Sequence, residues 1–337
     1  MVVGDALTHL KSLPDGIVQC CVTSPPYYGL RDYGTGKWEG GTDPTCDHGV
    51  QRWDGPKQTQ GAQSGHASKA DRLARRQCAS CGAHRVDDQL GLEETPHEYI
   101  ARLVEIFREV RRVLRDDGTL WLNLGDSYAN DGKWGGSTSG KHAGALHGDT
   151  KVGRGKRRTG FKAKELMMIP ARAAIALQDD GWYLRSDIVW AKGNPMPESV
   201  KDRPTRSHEY VFLLAKSERY FYDTEAVKEV AAEGGHRNRR SVWGINPKPY
   251  KGAHFAVMPE ELARLCILAG SKPGDMVLDP FSGSGTTLAV ARLLGRSYLG
   301  IELNPEYVPL INERVRVTSE YRDGRDTFDF MQTLPQE

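Results

Sequence analysis

Residues 279–287 read Asp-Pro-Phe-Ser-Gly-Ser-Gly-Thr-Thr and decide the fold, because they join a predicted strand to a predicted helix. Gly283 and Gly285 allow a tight turn there and let a ligand approach the backbone closely. Glu302 stands just past the next predicted strand, where its carboxylate can accept hydrogen bonds from both hydroxyls of a ribose. Together the strand, the glycine turn, the helix and the acid predict a site for a nucleoside cofactor.

The same turn narrows the choice of cofactor. A third glycine at the helix start, which dinucleotide-binding turns use for close packing, is missing because Thr287 and Leu288 stand there. The turn alone leaves both a dinucleotide and S-adenosylmethionine open, but adenosylmethionine has no pyrophosphate to accommodate. Asp279, at the end of the strand, is placed to meet the charged amino-acid end of that cofactor.

A second motif, Thr-Ser-Pro-Pro-Tyr at 23–27, also follows a predicted strand, at the kind of sheet edge where ligands bind. Its two prolines stiffen the backbone and remove two N–H donors, which leaves carbonyl groups facing outwards. The Ser24 side chain and the Pro25 carbonyl can hold the two hydrogens of an amine, and Tyr27 can stack on an extruded base. The predicted catalytic residues are therefore Ser24, Pro25, Pro26 and Tyr27.

This motif suits methylation of an exocyclic amino group. The lone pair of such an amine is delocalised into the base, and two acceptors hold the nitrogen nearer to tetrahedral geometry. A methyltransferase for a ring carbon would need a nucleophilic cysteine, typically in a Pro-Cys pair, and the chain has no such pair. Cys20, Cys21 and Cys266 lie in apolar stretches and are predicted to be buried thiols.

Strand and helix signals alternate along the chain with short connections. Strands are predicted at residues 2–3, 17–22, 119–124, 183–190, 210–215, 276–278 and 298–301. One helix has a strong start, with Thr95 as N-cap and Glu98 closing a capping box, and Asp116–Gly118 is expected to end it. The pattern predicts an α/β fold with a Rossmann-like, doubly wound, mostly parallel sheet. An antiparallel hairpin is expected between 210–215 and 220–222.

Six stretches resemble the DNA methyltransferases that modify N4 of cytosine or N6 of adenine, in the permuted order with the catalytic motif first. They are GDAL at 4–7, TSPPY at 23–27, LWLNLGDSY at 120–128, VWAKGNPMPESVKDRPTRSHEYVFLLAKS at 189–217, HFAVMPEEL at 254–262 and LDPFSGSGTTLAVARLLGRSYLGIELNPEY at 278–307. The resemblance implies site-specific methyl transfer from S-adenosylmethionine to a flipped base of double-stranded DNA. A serine in the first place of the catalytic tetrapeptide resembles the cytosine-N4 members, whereas Asp or Asn is usual for adenine-N6.

The resemblance also implies which residues line the cofactor pocket. They are Asp5, Phe255, Asp279, Phe281, Gly283, Ser284, Gly285, Thr286 and Glu302, with Asp5 near the adenine end. In these enzymes another segment flanks the flipped base, and the residues here that resemble it are Trp190, Lys192, Pro195 and Pro197. Asp126 resembles a residue of the pocket wall, and a capping role is its alternative.

A polar insertion at 35–91 carries four metal-ligand side chains in two pairs. Cys46-Asp-His48 and Cys78-Ala-Ser-Cys81 supply the soft and borderline donors that tetrahedral zinc prefers. The predicted ligands are therefore Cys46, His48, Cys78 and Cys81, with His84 or His66 as alternatives for the fourth place. A structural zinc ion would stabilise the fold of this segment, which is too polar to form its own hydrophobic core. The competing interpretation is three free surface thiols.

The net charge is only +2, but positive charge is concentrated locally. Residues 127–165 carry nine Lys and Arg residues against three acids, and a second basic group lies near 237–240. Such stretches suit contacts with DNA phosphates, although they are also typical of solvated loops. The predicted DNA-binding residues are Lys151, Arg154, Lys156, Arg157, Arg158, Lys162, Lys164, Arg237, Arg239 and Arg240.

These patterns divide the chain into parts with separate expected roles. They are the catalytic core (1–34, 92–129 and 166–225), the zinc-binding insertion (35–91), a basic DNA-contacting loop (130–165), a target-recognition segment (226–250), the cofactor-binding part of the core (251–320) and a C-terminal tail (321–337). No apolar run approaches the roughly 20 residues that span a bilayer. We expect a cytoplasmic protein of bacterial or phage type, bound to the nucleoid when on DNA, with a homodimer and a cognate restriction enzyme as further expectations. Alternatives are methylation of RNA or protein glutamine, and a non-catalytic DNA-binding module.

Overall fold

A computed structural model describes residues 1–29, 33, 35–46, 48, 77–78, 80–129, 160–195, 197–247 and 257–320. The strands are β1 (Val2–Val3), β2 (Val18–Thr23), β3 (Lys37–Glu39), β4 (His84–Val86), β5 (Leu114–Leu124), β6 (Tyr183–Ala191), β7 (His208–Ala215), β8 (Glu229–Val230), β9 (His236–Arg237), β10 (Val242–Gly244), β11 (Met276–Asp279) and β12 (Ser297–Glu302). The α-helices are α1 (Ala6–Ser12), α2 (Pro96–Val113), α3 (Ile169–Asp179), α4 (Glu260–Gly270), α5 (Thr286–Leu293) and α6 (Val308–Glu320).

The main sheet has eight strands in the order β1-β12-β11-β2-β5-β7-β6-β10. Every neighbouring pair is parallel except the two that involve β7, which runs antiparallel to both β5 and β6. This confirms the predicted α/β, doubly wound and mostly parallel architecture. Two small antiparallel ladders, β3 with β4 and β8 with β9, lie outside the main sheet.

Strand β2 shows why a continuous apolar run predicts a sheet covered on both faces. All six of its residues are buried, and successive side chains point to opposite faces. Cys21 packs in the cluster that contains Leu103 of α2, whereas Cys20 and Val22 pack in the cluster that contains Leu262 of α4. The three cysteines in apolar stretches are buried, as predicted.

Helix α2 begins as the sequence predicts. The Glu98 backbone N–H donates to Thr95 Oγ1 at 3.2 Å, and the Thr95 backbone N–H donates to Glu98 Oε2 at 3.1 Å, which completes the capping box. The predicted end of the helix was wrong, because α2 stops at Val113 and residues 116–118 lie within β5. None of the described helices is long and apolar enough to cross a membrane.

The antiparallel hairpin exists, but not where the sequence predicted it. Strand β7 pairs antiparallel with β6, the preceding strand in the chain, and with β5, whereas residues 220–222 form no strand. The Phe221 N–H instead donates to the Asp117 carbonyl at 2.9 Å, so this segment runs beside the start of β5. Strand β10 lies in the segment 226–250, for which the sequence predicted no strand, and it extends the main sheet beside β6.

The position of the functional region is predicted by the place in the sheet where the connections from two adjacent strands run to opposite sides. From β11 the chain continues through α5 to β12 on one side of the sheet, and from β2 it continues to β5 on the other. The carboxyl ends of the adjacent strands β11 and β2 therefore meet at a topological switch point. Open α/β sheets bind their ligands in such crevices.

Candidate active site

One cavity of about 320 Å³ lies at the carboxyl ends of β2 and β11. Ser24, Pro25, Pro26 and Tyr27 line it together with Asp279, Phe281, Gly283, Ser284, Thr286 and Glu302. The two predicted motifs are about 250 residues apart in sequence (279 against 24) and share this cavity. A ligand held by the glycine turn can therefore touch a ligand held by the proline pair.

The glycine turn takes the backbone shape that its sequence requires. Gly283 and Gly285 have φ angles of +51° and +79°, and the Gly285 N–H closes the turn on the Ser282 carbonyl at 2.7 Å. A Cβ atom on Gly285 would lie 2.9 Å from Cγ2 of Ile311, so packing against α6 adds a second requirement for glycine. Gly285 shapes the turn as the N-cap of α5 but does not itself line the cavity.

Glu302 lies at the end of β12 with only 8% of its surface exposed. Its Oε2 accepts from the Gly283 N–H and its Oε1 from the Asn304 N–H, both at 2.8 Å. Burial outweighs these hydrogen bonds and raises the pKa of Glu302 to about 7. The carboxylate is thus tied to the glycine turn, and each oxygen keeps a second lone pair for a ligand.

Asp279 ends β11 and is 4% exposed. Its Oδ1 accepts from the Thr23 hydroxyl at 2.6 Å and from the Phe281 N–H at 3.1 Å. Burial raises the pKa of Asp279 to about 6 despite these donors. Two buried carboxylates therefore face one cavity, which favours a ligand that brings positive charge and hydroxyl groups.

Asp5 and Ser284 both line the cavity, and both also hold the surrounding elements. Asp5 is the N-cap of α1, where its Oδ2 accepts from the Thr8 N–H at 2.8 Å. Ser284 Oγ accepts from Arg314 Nη1 at 3.0 Å, which joins the turn to α6. Phe255, also predicted for the cofactor pocket, lies outside the described residues.

The proline pair presents its two carbonyl groups differently. The Tyr99 hydroxyl of α2 donates to the Pro26 carbonyl at 2.9 Å and so anchors the segment from behind. Within the described ranges, the hydrogen bonds involve no protein donor to the Pro25 carbonyl. Pro25 and the half-buried Ser24 are therefore the acceptors that a ligand in the cavity can use.

Tyr27 belongs to a polar network that the sequence analysis missed. Its hydroxyl lies 2.7 Å from Glu209 Oε2, 3.1 Å from Asn123 Oδ1 and 3.2 Å from Ser24 Oγ. Burial, followed by the Glu209 charge, raises the pKa of Tyr27 well above its usual range. Its ring packs on Gly125, where a Cβ would lie 2.6 Å from Tyr27 Cε2.

The network continues to a charged pair formed by Lys192, just after β6, and Glu209 in β7. Lys192 Nζ forms an ion pair with Glu209 Oε1 and lies 4.3 Å from the centre of the Trp190 ring. Asn123 Nδ2 donates to Glu209 Oε2 at 3.2 Å. Asn123, Trp190, Lys192 and Glu209 all line the cavity. A signal was present in the sequence, since Asn123 interrupts an apolar strand and Glu209 is a charged residue near the start of another.

Two residues of the flanking segment and one residue predicted for the pocket wall do not line the cavity. Pro195 and Pro197 are not among the residues that line the cavity. Asp126 does not line it either, because its Oδ1 accepts from the backbone N–H groups of Ser127 and Ile169, both at 2.9 Å. Asp126 therefore takes the alternative capping role, at the start of α3.

The four predicted metal ligands come together in space. Their donor atoms all lie within 4.8 Å of one another, with Cys46 Sγ 3.8 Å from Cys78 Sγ and Cys81 Sγ 3.5 Å from His48 Nδ1. Tetrahedral zinc with bonds of about 2.3 Å would hold two sulfur atoms about 3.8 Å apart. His84, an alternative fourth ligand, lies exposed on β4 outside this group, and His66 lies outside the described residues.

The insertion also forms part of the cavity wall. Beyond the β3–β4 ladder, Thr35 Oγ1 and the Gln89 N–H both donate to Asp87 Oδ1, at 2.7 Å and 3.1 Å. Thr35, Gln89 and Leu90 line the cavity. The cysteine and histidine cluster thus lies at one end of a ladder whose other end faces the active site.

The described basic residues are mostly engaged within the chain. Arg237 and Arg240 both pair with Glu229 Oε1, at 2.9 Å and 2.6 Å, and Arg239 donates to the Val227 carbonyl at 2.8 Å. Lys162 is exposed, and the exposed Lys164 pairs with Asp202 at 2.8 Å. Lys151, Arg154, Lys156, Arg157 and Arg158 lie outside the described residues.

Comparison with known proteins shows the family. The model of the N6/N4 methyltransferase family, described as DNA methylase, matches residues 18–313. The chain belongs to this DNA methylase family. The match spans both the proline pair and the glycine turn, so it includes both sides of the cavity.

Relatives of this DNA methylase are similar along almost its whole length. It is 48% identical over 316 residues to the Type II methyltransferase M.Cfr9I of Citrobacter freundii, covering 93% of this chain and 86% of that protein. It is 45% identical over 317 residues to the Type II methyltransferase M.SmaI of Serratia marcescens, covering 94% and 90%.

Solved structures show the same fold. The PvuII DNA methyltransferase, described as cytosine-N4-specific, superposes with a TM-score of 0.59 at 18% identity, covering 98% of this chain and 89% of that one. A Thermus thermophilus protein, provisionally assigned as a DNA modification methylase and solved with S-adenosyl-L-methionine, gives a TM-score of 0.53 at 24% identity, with 94% of both chains covered. These two structures show the fold, and the family model with the relatives above shows that the chain is a DNA methyltransferase of the N4-cytosine/N6-adenine family.

Proposed function

We propose that this DNA methyltransferase transfers the methyl group of S-adenosylmethionine to N4 of cytosine in double-stranded DNA, with N6 of adenine as the alternative acceptor. The observation that carries the proposal is the single cavity shared by Ser24, Pro25, Asp279 and Glu302. When bound, the cofactor would supply an electrophilic methyl group on a positively charged sulfur. The chain would supply acceptors, orientation and exclusion of water.

The cavity residues fit this cofactor in charge and hydrogen bonding. Glu302 is buried beside the glycine turn, and its remaining lone pairs suit the two hydroxyls of a ribose. Asp279 would face the cationic amino-acid end, because it ends the neighbouring strand in the same cavity. Asp5, at the β1 end of the sheet, would lie towards the adenine. A ligand with positive charge would also relieve the crowding of two carboxylates.

The catalytic segment would hold the amine. Ser24 Oγ and the Pro25 carbonyl would accept its two hydrogens and turn the nitrogen lone pair towards the cofactor side of the cavity. Pro26 fixes the segment through the hydrogen bond of its carbonyl with Tyr99. The ring of Tyr27 would form one wall for a flipped base. The preference for cytosine rests on the serine at position 24, as the resemblance implies.

Mass spectrometry of nucleosides from DNA methylated by the purified protein tests the acceptor. We expect 4-methylcytosine. Detection of 6-methyladenine instead would show that the acceptor is N6 of adenine. Ser24→Ala and Pro26→Ala should lose methyl transfer yet keep DNA binding, with rates lower by roughly 100-fold for the serine acceptor. Full activity in either variant would contradict the assigned chemistry.

Other acceptors and a non-catalytic role have less support. The family is described as DNA methylase, and the similar proteins are named Type II methyltransferases. Tritium transfer from labelled cofactor should therefore appear in duplex DNA and not in RNA or in glutamine-containing peptides. Failure to bind adenosylmethionine would instead favour a non-catalytic DNA-binding module.

We also propose a structural zinc ion held by Cys46, His48, Cys78 and Cys81. The donor atoms form a compact group, and the described residues of the insertion around them bury only a small apolar cluster, so a metal would take the place of a core. Its role would be structural, because the four protein ligands complete a tetrahedral shell. Metal analysis should find one zinc per chain, and a content well below one would reject the site.

Further roles concern DNA and partners. We propose that the basic residues of 130–165 and of 226–250 contact DNA phosphates, and that 226–250 takes part in target recognition. A restriction enzyme with the same target would be the natural partner of a Type II methyltransferase, and a homodimer is the proposed assembly. Light scattering of the purified protein, with and without a duplex, tests the assembly. The proposed location is the cytoplasm, at the nucleoid while the protein is on DNA.

A further inference from the structure

The hydrogen bonds around Tyr27 have a definite direction. An ionised Glu209 and the Asn123 amide oxygen can both only accept. The hydrogen of the Tyr27 hydroxyl points to the charged and nearer of the two, Glu209 Oε2 at 2.7 Å, rather than to Asn123 Oδ1 at 3.1 Å. Tyr27 has a single hydroxyl hydrogen and can therefore only accept from Ser24, at 3.2 Å. Ser24 must then give its own hydrogen to Tyr27, and the lone pairs of Ser24 Oγ remain for a ligand in the cavity.

From this geometry we infer that Glu209 is a positioning residue for the methyl transfer, acting on Ser24 through Tyr27. It fixes the Ser24 hydroxyl as a hydrogen-bond acceptor, and it receives the proton that the methylated amine must lose. This inference rests on the proposed function, because it takes an amine as the group that Ser24 holds. A serine without this network could equally turn its hydrogen towards the ligand.

The proton step is balanced within the chain. After methyl transfer the amine nitrogen is cationic, and the electron pair of one N–H bond returns to the nitrogen as the proton passes to Ser24 Oγ. In concert the Ser24 hydroxyl proton passes to the Tyr27 oxygen and the Tyr27 proton to Glu209 Oε2. The products are a neutral methylated amine and a neutral Glu209 carboxyl group, with Ser24 and Tyr27 unchanged.

The surroundings keep Glu209 in place for this role. Lys192 binds its other oxygen, Oε1, and Asn123 Nδ2 donates to Oε2 at 3.2 Å. The side chains of Lys192 and Glu209 are only 18% and 17% exposed. Lys192 directly follows β6 and Glu209 lies in its partner strand β7, and the Lys192 N–H donates to the Ser207 carbonyl at 2.8 Å, so strand pairing sets the distance between the two side chains.

A double-mutant cycle on single-turnover methyl transfer tests the inference. Glu209→Gln and Tyr27→Phe should each lower the rate by roughly 100-fold, with dissociation constants for adenosylmethionine and duplex DNA close to those of the wild type. The double variant should be no slower than either single variant, since both break the same chain of hydrogen bonds. Glu218→Gln, an exposed carboxylate beyond the end of β7, is the matched control and should keep the wild-type rate.

Two results would overturn the inference. One is a Glu209→Gln rate equal to that of the wild type, and the other is a double variant whose loss is the product of the two single losses. The second would mean that Glu209 merely anchors Lys192, independently of Tyr27. Inactivity of the wild type on the exocyclic amines of both cytosine and adenine would refute the proposed function instead, so the two failures are distinguishable.

Discussion

The Thr23 hydroxyl donates a buried hydrogen bond of 2.6 Å to Asp279 Oδ1. The bond joins the ends of the neighbouring strands β2 and β11, directly beneath the catalytic segment and the glycine turn. Thr23 is fully buried and Asp279 is 4% exposed, so the bond is shielded from bulk solvent. This contact fixes the spacing of the two halves of the proposed methyl-transfer site.

Thr23→Val should weaken both the fold and the site. The valine keeps the shape but removes the donor, which raises the pKa of Asp279 further above its present value of about 6. At pH 7.5 the ionised carboxylate would lack its partner, and we expect the free energy of unfolding to fall by about 2 kcal/mol. Chemical denaturation at pH 7.5 and pH 5 measures the effect, which should be smaller at pH 5.

Thr23→Ser is the matched control, because it keeps the hydroxyl and loses only a methyl group. Its cofactor affinity should stay near that of the wild type, whereas Thr23→Val should bind adenosylmethionine more weakly. Equal affinities for the two variants would mean that the bond to Asp279 does not shape the cofactor site.

Cofactor affinity should depend on pH through Glu302. Because its pKa is raised to about 7, the ligand-free protein holds a proton there below that pH, while ribose hydroxyls favour the ionised form. If only the ionised form binds, affinity at pH 5.5 should be roughly 30-fold lower than above pH 8. Calorimetric titration with S-adenosylhomocysteine across this range measures the effect.

The same group gives a stability effect of opposite sign in the free protein. A raised folded-state pKa stabilises the fold below the unfolded value of about 4.5, and this contribution is lost as pH rises through about 7. Glu302→Gln should reduce the pH dependence of both binding and stability between pH 5 and pH 8, leaving the part that comes from Asp279, whose pKa is raised to about 6. A wild-type profile that matches this variant would rule out Glu302 as the titrating group.

The two glycines of the turn should differ in their tolerance of alanine. Gly285→Ala would place a Cβ 2.9 Å from Ile311 Cγ2 at a φ of +79°, whereas at Gly283 the nearest atom is 3.9 Å away. We expect Gly283→Ala to cost about 1 kcal/mol of unfolding free energy from backbone strain alone, and Gly285→Ala to cost more. Thermal unfolding of both variants checks the order, which packing against α6 should decide.

Removal of the proposed zinc should affect the active site as well as the insertion. The β3–β4 ladder leads from the ligand group to Thr35 and Gln89, which line the cavity. We expect a chelator, or Cys78→Ser, to weaken adenosylmethionine binding severalfold, with zinc addition restoring only the chelated wild type. Unchanged adenosylmethionine binding by a protein verified to be free of zinc would show that the metal does not support the cavity wall.

Binding to duplex DNA should weaken steeply with salt. If Arg237 and Arg240 leave Glu229 to contact phosphates, replacing both by Gln should reduce the slope of log K against log salt by about 1.8. Arg316→Gln is the matched control, since Arg316 is a similarly exposed arginine paired with Glu313. An unchanged slope in the double variant would mean that Arg237 and Arg240 stay paired with Glu229 and do not contact DNA phosphates.

The sequence by itself determined the local chemistry of this protein. Glycines, prolines and capping residues act through their own backbone geometry, so the turn at 283–285, the proline pair at 25–26 and the start of α2 could be predicted from neighbouring residues alone. Alternating strands and helices likewise gave the α/β class. The metal ligands were grouped by spacing, and the structure brings all four together.

Only the tertiary structure decided which distant residues meet. Strand order, which long-range packing sets, determines the position of β7 between β5 and β6 and the addition of β10 to the main sheet. It also determines the bond between Thr23 and Asp279. The network of Tyr27, Asn123 and Glu209 has the same origin, since its members come from three separate segments and each looks ordinary in sequence. Local motifs determine the backbone conformation of their own residues, whereas sheet topology determines which distant residues lie next to them.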